Sequence, residues 1–334
     1  MYSAPGFWGE RPGLLSNLLM PMAASWSAIG CIRHALARPY QSPVPVVCIG
    51  NLVAGGAGKT PVSLALSSEF AARGAAVHIV TRGYGGRLRG PLRVDPARHD
   101  AAEVGDEALL LATCAPCWVA RDRASGIRAA AAAGAGLILL DDGFQNPAFN
   151  KDLSFVVVDA GYGFGNGRVI PAGPLREGLA RGLSRADALV LLGSATDMSC
   201  VAQIESGGVP VLRAELAPIA GQRLSGSRLL AFAGIARPEK FFVTLRSLSA
   251  ELVDTRAFPD HYRFDIAEID QLRTDAERAQ ARLVTTAKDI VRLPRSSRSG
   301  IEVLDVEVRW GDRTVLDELI RPVVLSALDR NAPA

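Results

Sequence analysis

The stretch Val46–Pro61, VVCIGNLVAGGAGKTP, constrains this chain more than any other. Val44 to Ile49 is an apolar run rich in β-branched residues, the pattern of a strand buried on both faces of a parallel sheet. It runs into Gly55-Gly56-Ala57-Gly58, then Lys59-Thr60-Pro61, with a helix predicted from about Pro61 to Arg73. Strand, glycine turn and helix in that order make an anion cradle. Glycines let backbone N–H groups approach an anion closely, and the helix N-terminus presents the positive end of its dipole. In that frame Lys59 reaches the β- and γ-phosphates of a nucleoside triphosphate, and the Thr60 hydroxyl serves a Mg²⁺ ion. The spacing departs from G-x4-G-K-[ST], whose first glycine falls on Val53 here.

Downstream, Leu137–Leu140 ends in Asp141-Asp142-Gly143-Phe144-Gln145. Four buried apolar residues and then a carboxylate aim an acid at the Mg²⁺ beside a phosphate loop. That edge is where open α/β sheets bind ligands. Val104-Gly105-Asp106-Glu107 opens an apolar helical segment, Ala108–Thr113, although acids at a helix start also serve simply as dipole partners. Further strands are predicted at Ala76–Val80, Trp118–Ala120, Leu153–Asp159 and Ala188–Leu192. Between the last two lies a glycine-, proline- and arginine-rich loop, Gly161–Arg185, too long for a plain connector.

Thr196–Gly226 is polar and strand-poor apart from Val209–Leu212. It sets a boundary that divides the chain into an N-terminal segment 1–40, a core domain 41–215 and a second lobe 216–334. In that lobe, strands at Leu229–Ala233, Val253–Phe258, Arg282–Thr286 and Ile301–Val308 alternate with helices at Glu239–Leu248, from Ile266 and from Thr314. The fold class is therefore α/β: a P-loop NTPase-like, mostly parallel sheet flanked by helices, with a second, smaller α/β lobe.

Pro12 to Ile32 carries no charge and has about the ~20 residues that span a bilayer. However, Ser16, Asn17, Ser25 and Ser27 dilute it and Pro21 interrupts it. Leu15, Leu18, Leu19, Met22, Trp26 and Ile29 share one helical face, with small or polar residues opposite. The spacing predicts a helix lying in a membrane interface, with Arg33, His34 and Arg38 at the head groups. A helix packed on its own domain is the alternative. A cleaved signal peptide is a rival, but it would carry a nucleotide-using domain away from its nucleotide.

Composition narrows the partners. The net charge of +3 and pI near 8.7 are too mildly basic to argue for nucleic acid. Arginines cluster instead, with Arg82, Arg87, Arg89, Arg93 and Arg98 in one segment and Arg176, Arg181 and Arg185 in another. Such clusters suit anionic ligands or lipid head groups, as well as plain solvation. Five cysteines make no disulfide framework in a chain of 334 residues, which fits a reducing compartment. Cys114-Ala-Pro-Cys117 has no second CxxC and no paired histidines for zinc, and reads as ordinary thiols.

The motifs together resemble the tetraacyldisaccharide 4′-kinases of the lipid A pathway. The resemblance rests on GNLVAGGAGKTP at 50–61, TRGYGG at 81–86, GDEALLLA at 105–112 and DDGFQ at 141–145. It continues through FGNGRVIPAGPLRE at 164–177, GIARPEKFF at 234–242, DHYRF at 260–264 and TTAKD at 285–289. Two positions depart from the family pattern, Asn146 in place of His and Ala287 in place of Glu, and no chemistry is assigned to either. The resemblance implies transfer of the γ-phosphate of ATP to the 4′-hydroxyl of a tetraacylated disaccharide 1-phosphate, giving lipid IV A. It also implies a site at the cytoplasmic face of the bacterial inner membrane and two α/β/α lobes joined by hinge strands. Carried over, Lys59 and Thr60 hold ATP and Mg²⁺, and Asp142 coordinates the metal. Asp106 is the candidate base and His261 its partner, while Glu107, Asp141, Gln145 and Arg176 are metal, phosphate or supporting contacts. The lipid disaccharide and the membrane surface, met through residues 12–38, are the expected partners, and a monomer is the expected state. Two other classes fit parts of the pattern. A membrane-docking regulatory P-loop ATPase would carry a lysine just before the paired glycines, where this chain has Ala54. A soluble ATP-dependent ligase leaves the amphipathic N-terminus unexplained.

Overall fold

The computed structural model describes residues 5–193, 208–219 and 221–329. The chain begins with two helices, α1 (Leu14–Leu18) and α2 (Met20–Ala35), and then enters β1 (Val46–Gly50), α3 (Lys59–Ala72), β2 (Val77–Thr81) and β3 (Leu92–Arg93). Next come α4 (Ala101–Val104), α5 (Asp106–Leu111), β4 (Cys117–Val119), α6 (Arg123–Ala132), β5 (Leu137–Asp141) and β6 (Leu153–Asp159). A short α7 (Leu179–Leu183) leads to β7 (Ala188–Leu192) and β8 (Val211–Pro218). The second unit runs through β9 (Arg228–Ala233), α8 (Pro238–Ser247), β10 (Glu251–Ala257), α9 (Ile266–Arg278), β11 (Arg282–Thr286), α10 (Ala287–Ile290) and β12 (Glu302–Leu304). β13 (Val306–Trp310) and α11 (Arg313–Asp329) follow.

Nine strands form one sheet in the order β13-β8-β7-β6-β1-β5-β2-β4-β3. All neighbours are parallel except the two edge pairs, β13 with β8 and β3 with β4. The fully apolar runs predicted as buried strands are its centre: every residue of β1, β2, β5, β6 and β7 is buried. Helix α3 buries Val62, Leu66 and Phe70, spaced four apart, a single stripe that packs on one sheet face. Because β1 lies between β5 and β6, the chain leaves it in opposite directions on either side, and a crevice opens at its carboxyl end. A four-stranded parallel sheet, β10-β9-β11-β12, makes the second unit. There α8 packs Phe241, Phe242 and Leu245 on one side, and α9 packs Ile269, Leu272 and Ala276 on the other.

Two expectations change. The run Ile301–Val308 is not one strand: it breaks at Asp305, sending β12 to the small sheet and β13 to the large one. The chain therefore returns to its first unit, where Leu316, Ile320, Val323, Val324 and Ala327 of α11 join the main core. Residues 305–329 thus belong with the large sheet rather than with the rest of 216–334, and β8 and β13 side by side form the crossing. The polar stretch read as a boundary lies partly outside the described residues, and its remainder carries β8.

The first helices are two-sided. The small residues Ser16 and Ala23 face inward and are buried, with Ser16 Oγ donating to the Ala172 carbonyl at 2.6 Å. Leu15, Leu18, Met22, Trp26 and Ile29 stand exposed on the outer side. Among the described residues no helix is long and apolar enough to cross a membrane.

Candidate active site

The glycine loop ends in Gly58, with φ at +80°, directly before α3. A Cβ there would sit 2.3 Å from Leu192 Cδ2, so both conformation and space require glycine. Lys59 and Thr60 start the helix, and Pro61 occupies its first turn, where a missing N–H costs nothing. The loop is braced from below by Asn51, whose Nδ2 donates to the Val53 carbonyl at 2.8 Å and the Gly55 carbonyl at 3.3 Å. Lys59 Nζ donates to Asn51 Oδ1 at 3.3 Å. Gln145 Nε2 donates to the Asn51 carbonyl at 2.8 Å, so Gln145 supports the loop through its backbone.

The two acids at the end of β5 have different surroundings. Asp142, in the left-handed region at φ 57°, lies 3.8 Å from Lys59 Nζ and accepts from Arg176 Nη1 at 2.8 Å. Burial pushes its pKa up, but Lys59 and Arg176 outweigh it and hold the carboxyl below its usual range. Asp141 is buried and accepts from Ser63 Oγ at 2.8 Å through one oxygen. Its Oδ2 has no hydrogen-bond partner. Burial, and then the charge of Glu107, raise its pKa to about 7 against the pull of Lys59 and Ser63.

A second cluster joins the lobes. Gly105 holds φ +88° where a Cβ would sit 2.4 Å from the Tyr84 carbonyl, and this turn sets Asp106 at the start of α5. Asp106 Oδ2 lies 3.0 Å from His261 Nδ1 and accepts from Arg292 Nε at 2.6 Å. Both partners come from the second unit, more than 150 residues away. Burial raises the Asp106 pKa, but the bond to His261 and the charges of Lys288 and Arg292 reverse this and hold it well below the usual carboxylate range. The Tyr84 ring lies against His261 with centroids 5.4 Å apart. Glu107 pairs with Lys288 at 3.1 Å, and its charge also acts on Asp141.

The predicted residues thus fall into two adjoining groups, the phosphate loop with the β5 acids and the Asp106–His261 pair. Sequence reasoning missed Asn51, Ser63, Lys288 and above all Arg292. Arg292 has its guanidinium held by Asp289 Oδ1 at 2.9 Å and lies just beyond the TTAKD motif, three residues from that acid. Among the described residues no three acid, histidine or cysteine side chains form a preformed metal cage. Mg²⁺ does not need one, since it keeps waters and uses one or two carboxylates plus substrate phosphates. The orphaned buried Asp141 oxygen and the Thr60 hydroxyl fit that demand.

A strand, glycine loop and helix beside an acid-tipped strand of one parallel sheet place the chain among the P-loop nucleotide-dependent enzymes. Beside it, the Asp106–His261 contact joins an acid at the start of α5 to an imidazole of the second unit. The family model of the tetraacyldisaccharide-1-P 4′-kinases matches residues 15–324, and the chain belongs to that family. It is 55% identical to the tetraacyldisaccharide 4′-kinase of Rhodospirillum centenum over 99% of both chains. It is 48% identical to that of Rhodospirillum rubrum over 97% of this chain and 99% of the other. A crystal structure of LpxK from Aquifex aeolicus in complex with ATP superimposes with a TM-score of 0.75 at 25% identity, covering 93% of this chain and 100% of that one.

Proposed function

We propose that this chain transfers the γ-phosphate of ATP to the 4′-hydroxyl of a tetraacyldisaccharide 1-phosphate, giving lipid IV A in lipid A biosynthesis. Membership of the kinase family across residues 15–324 carries the reading. The loop backbone and Lys59 bind the β- and γ-phosphates, and Thr60, Asp142 and the free oxygen of Asp141 would hold Mg²⁺. Bound with the nucleotide, that ion neutralises phosphate charge. Arg176 fixes Asp142 and adds a further cation near the transferring group.

Asp106 accepts the hydroxyl proton. Its depressed pKa keeps it ionised at neutral pH, and so always an acceptor, while a loose transition state asks little of the base until the bond to phosphorus forms. His261 and Arg292 fix the carboxylate and are positioning residues. As they belong to the second unit, substrate entry and lobe movement act on the same contacts. The exposed apolar side of α1 and α2 lies in the cytoplasmic leaflet of the inner membrane, where the monomer meets its lipid substrate. The test is mass spectrometry of the disaccharide 1-phosphate after incubation with protein, Mg²⁺ and ATP. One added phosphate is expected, and ADP formation without lipid phosphorylation refutes the reading in favour of a regulatory ATPase.

A further inference from the structure

One acid at the carboxyl edge of the large sheet takes no part in the site described above. Asp159 closes β6, stands in register with Leu192 of β7 and is buried. Leu192 is the side chain that packs under Gly58, so Asp159 shares the strand ends that carry the phosphate loop. Its Oδ1 accepts from the Gly161 backbone N–H at 2.9 Å. Its Oδ2 accepts from Arg237 Nη1 at 2.9 Å and from Lys240 Nζ at 2.7 Å. Both cations come from the second unit, Arg237 directly before α8 and Lys240 in its first turn. The Arg237 guanidinium also lies 5.0 Å over the Tyr162 ring. A carboxylate taken out of water needs such partners, and the other unit supplies both.

The residues before Arg237 tie this contact to the chemistry. The Gly234 carbonyl accepts from the His261 backbone N–H at 3.1 Å and from Arg292 Nη1, and the Gly234 N–H donates to Asp289 Oδ1 at 3.1 Å. Two residues on, the Ala236 methyl lies 3.6 Å from where a Cβ on Gly56 would stand. The turn 234–237 therefore meets the phosphate loop at one residue and holds both partners of Asp106 at another. Among the described residues, the other ion pairs between the units are Asp106 with His261 and Arg292, and Glu107 with Lys288. Those start from α5, between β3 and β4 in the chain, whereas β6 lies on the opposite side of β1 in the sheet. The phosphate loop is thus flanked by two anchors, and the one at Asp159 uses no reacting group. We infer that Arg237 and Lys240 are positioning residues for phosphoryl transfer: their hold on Asp159 sets the turn 234–237, and with it His261 and Arg292, against Asp106. The inference rests on the proposed kinase reading and names what aligns its catalytic pair.

The test removes both charges and keeps the apolar stems, as Arg237→Met with Lys240→Met, in the wild-type and the Asp106→Asn enzyme. In the wild-type background kcat should fall by about 3- to 30-fold, the scale of half-exposed charged contacts to one carboxylate, with little change in KM for ATP. In the Asp106→Asn background the same two changes should slow turnover no further, because residues that act through a missing group have nothing left to align. Calorimetric ATP binding shows that each variant is folded. Lys240→Met alone, at an exposed side chain, stands in if the pair fails that control, with a smaller loss in the same pattern. Equal losses in both backgrounds overturn the inference and leave the contact a structural role. Unchanged kcat, or a loss confined to KM for ATP, overturns it as well. A wild type that hydrolyses ATP without phosphorylating the disaccharide overturns the kinase reading itself, so the two failures are distinct.

Discussion

Replacing Asp106 by Asn removes the proton acceptor while keeping size and polarity at the first turn of α5. Arg292, with its side chain 3% exposed, keeps Asp289 at 2.9 Å, so the variant retains one carboxylate for this guanidinium. Asp106→Ala is the harsher change, since breaking a buried pair costs about 3–5 kcal/mol. A positioned general base contributes about 10²–10⁴-fold, and kcat of Asp106→Asn should fall by that factor with little change in KM for ATP. His261→Ala removes one bond to an acid that still accepts from Arg292 at 2.6 Å. Losing one such charged bond costs about 1.5–3 kcal/mol, or roughly 10- to 150-fold in rate. If the two side chains act as one unit, the double variant is no slower than Asp106→Asn alone. Steady-state kinetics at saturating ATP and lipid measure all four enzymes. Rate losses that multiply, or a His261→Ala enzyme of normal activity, would refute the reasoning and leave the histidine a packing role.

Lys59→Ala should abolish phosphate transfer in a protein that still folds, with a Tm lowered by the lost contacts to Asn51 and Asp142; normal turnover in the folded variant would remove the loop from the mechanism. Asp141 carries a pKa raised by burial to about 7, against about 3.9 in the unfolded chain. The native state therefore holds the extra proton between those values, and this group's contribution makes stability fall as pH rises from about 4 to 7. Asp141→Asn should flatten that slope and raise Tm at pH 8 in metal-free protein, measured by calorimetry, while weakening Mg²⁺-dependent nucleotide binding. Changing Leu15, Leu18 and Met22 together to Ser should release the protein from anionic vesicles in sedimentation, with ATP affinity kept; full sedimentation would place the anchor elsewhere.

What the sequence made legible follows from which signals are local. Buried parallel strands announce themselves as unbroken apolar runs, so Leu153–Asp159 and Ala188–Leu192 were read to the residue. GKT between strand and helix fixed the loop despite its irregular glycine spacing, because strand and helix flank it whatever the glycine count. The outward apolar side of α1 and α2 was legible from helical period alone. Ile301–Val308 was not, since a change of sheet at Asp305 leaves alternation of side chains intact. Nor was the return of α11 to the first core: an amphipathic stripe does not say which sheet it covers. Arg292 sits on a short turn without a motif of its own, and only the packing of the second unit against Asp106 reveals it. The family resemblance supplied the Asp106–His261 pairing; nothing in residue spacing links positions 155 apart.

This site moves a phosphoryl group from ATP to one particular hydroxyl. The most direct measurement uses ATP labelled with oxygen-18 in its γ-phosphate, with the lipid product read by phosphorus NMR and mass spectrometry. Labelled phosphate is expected as a monoester at the 4′ position in wild type and none with Lys59→Ala. Label recovered only in inorganic phosphate, or on the anomeric phosphate as a diphosphate, would contradict it.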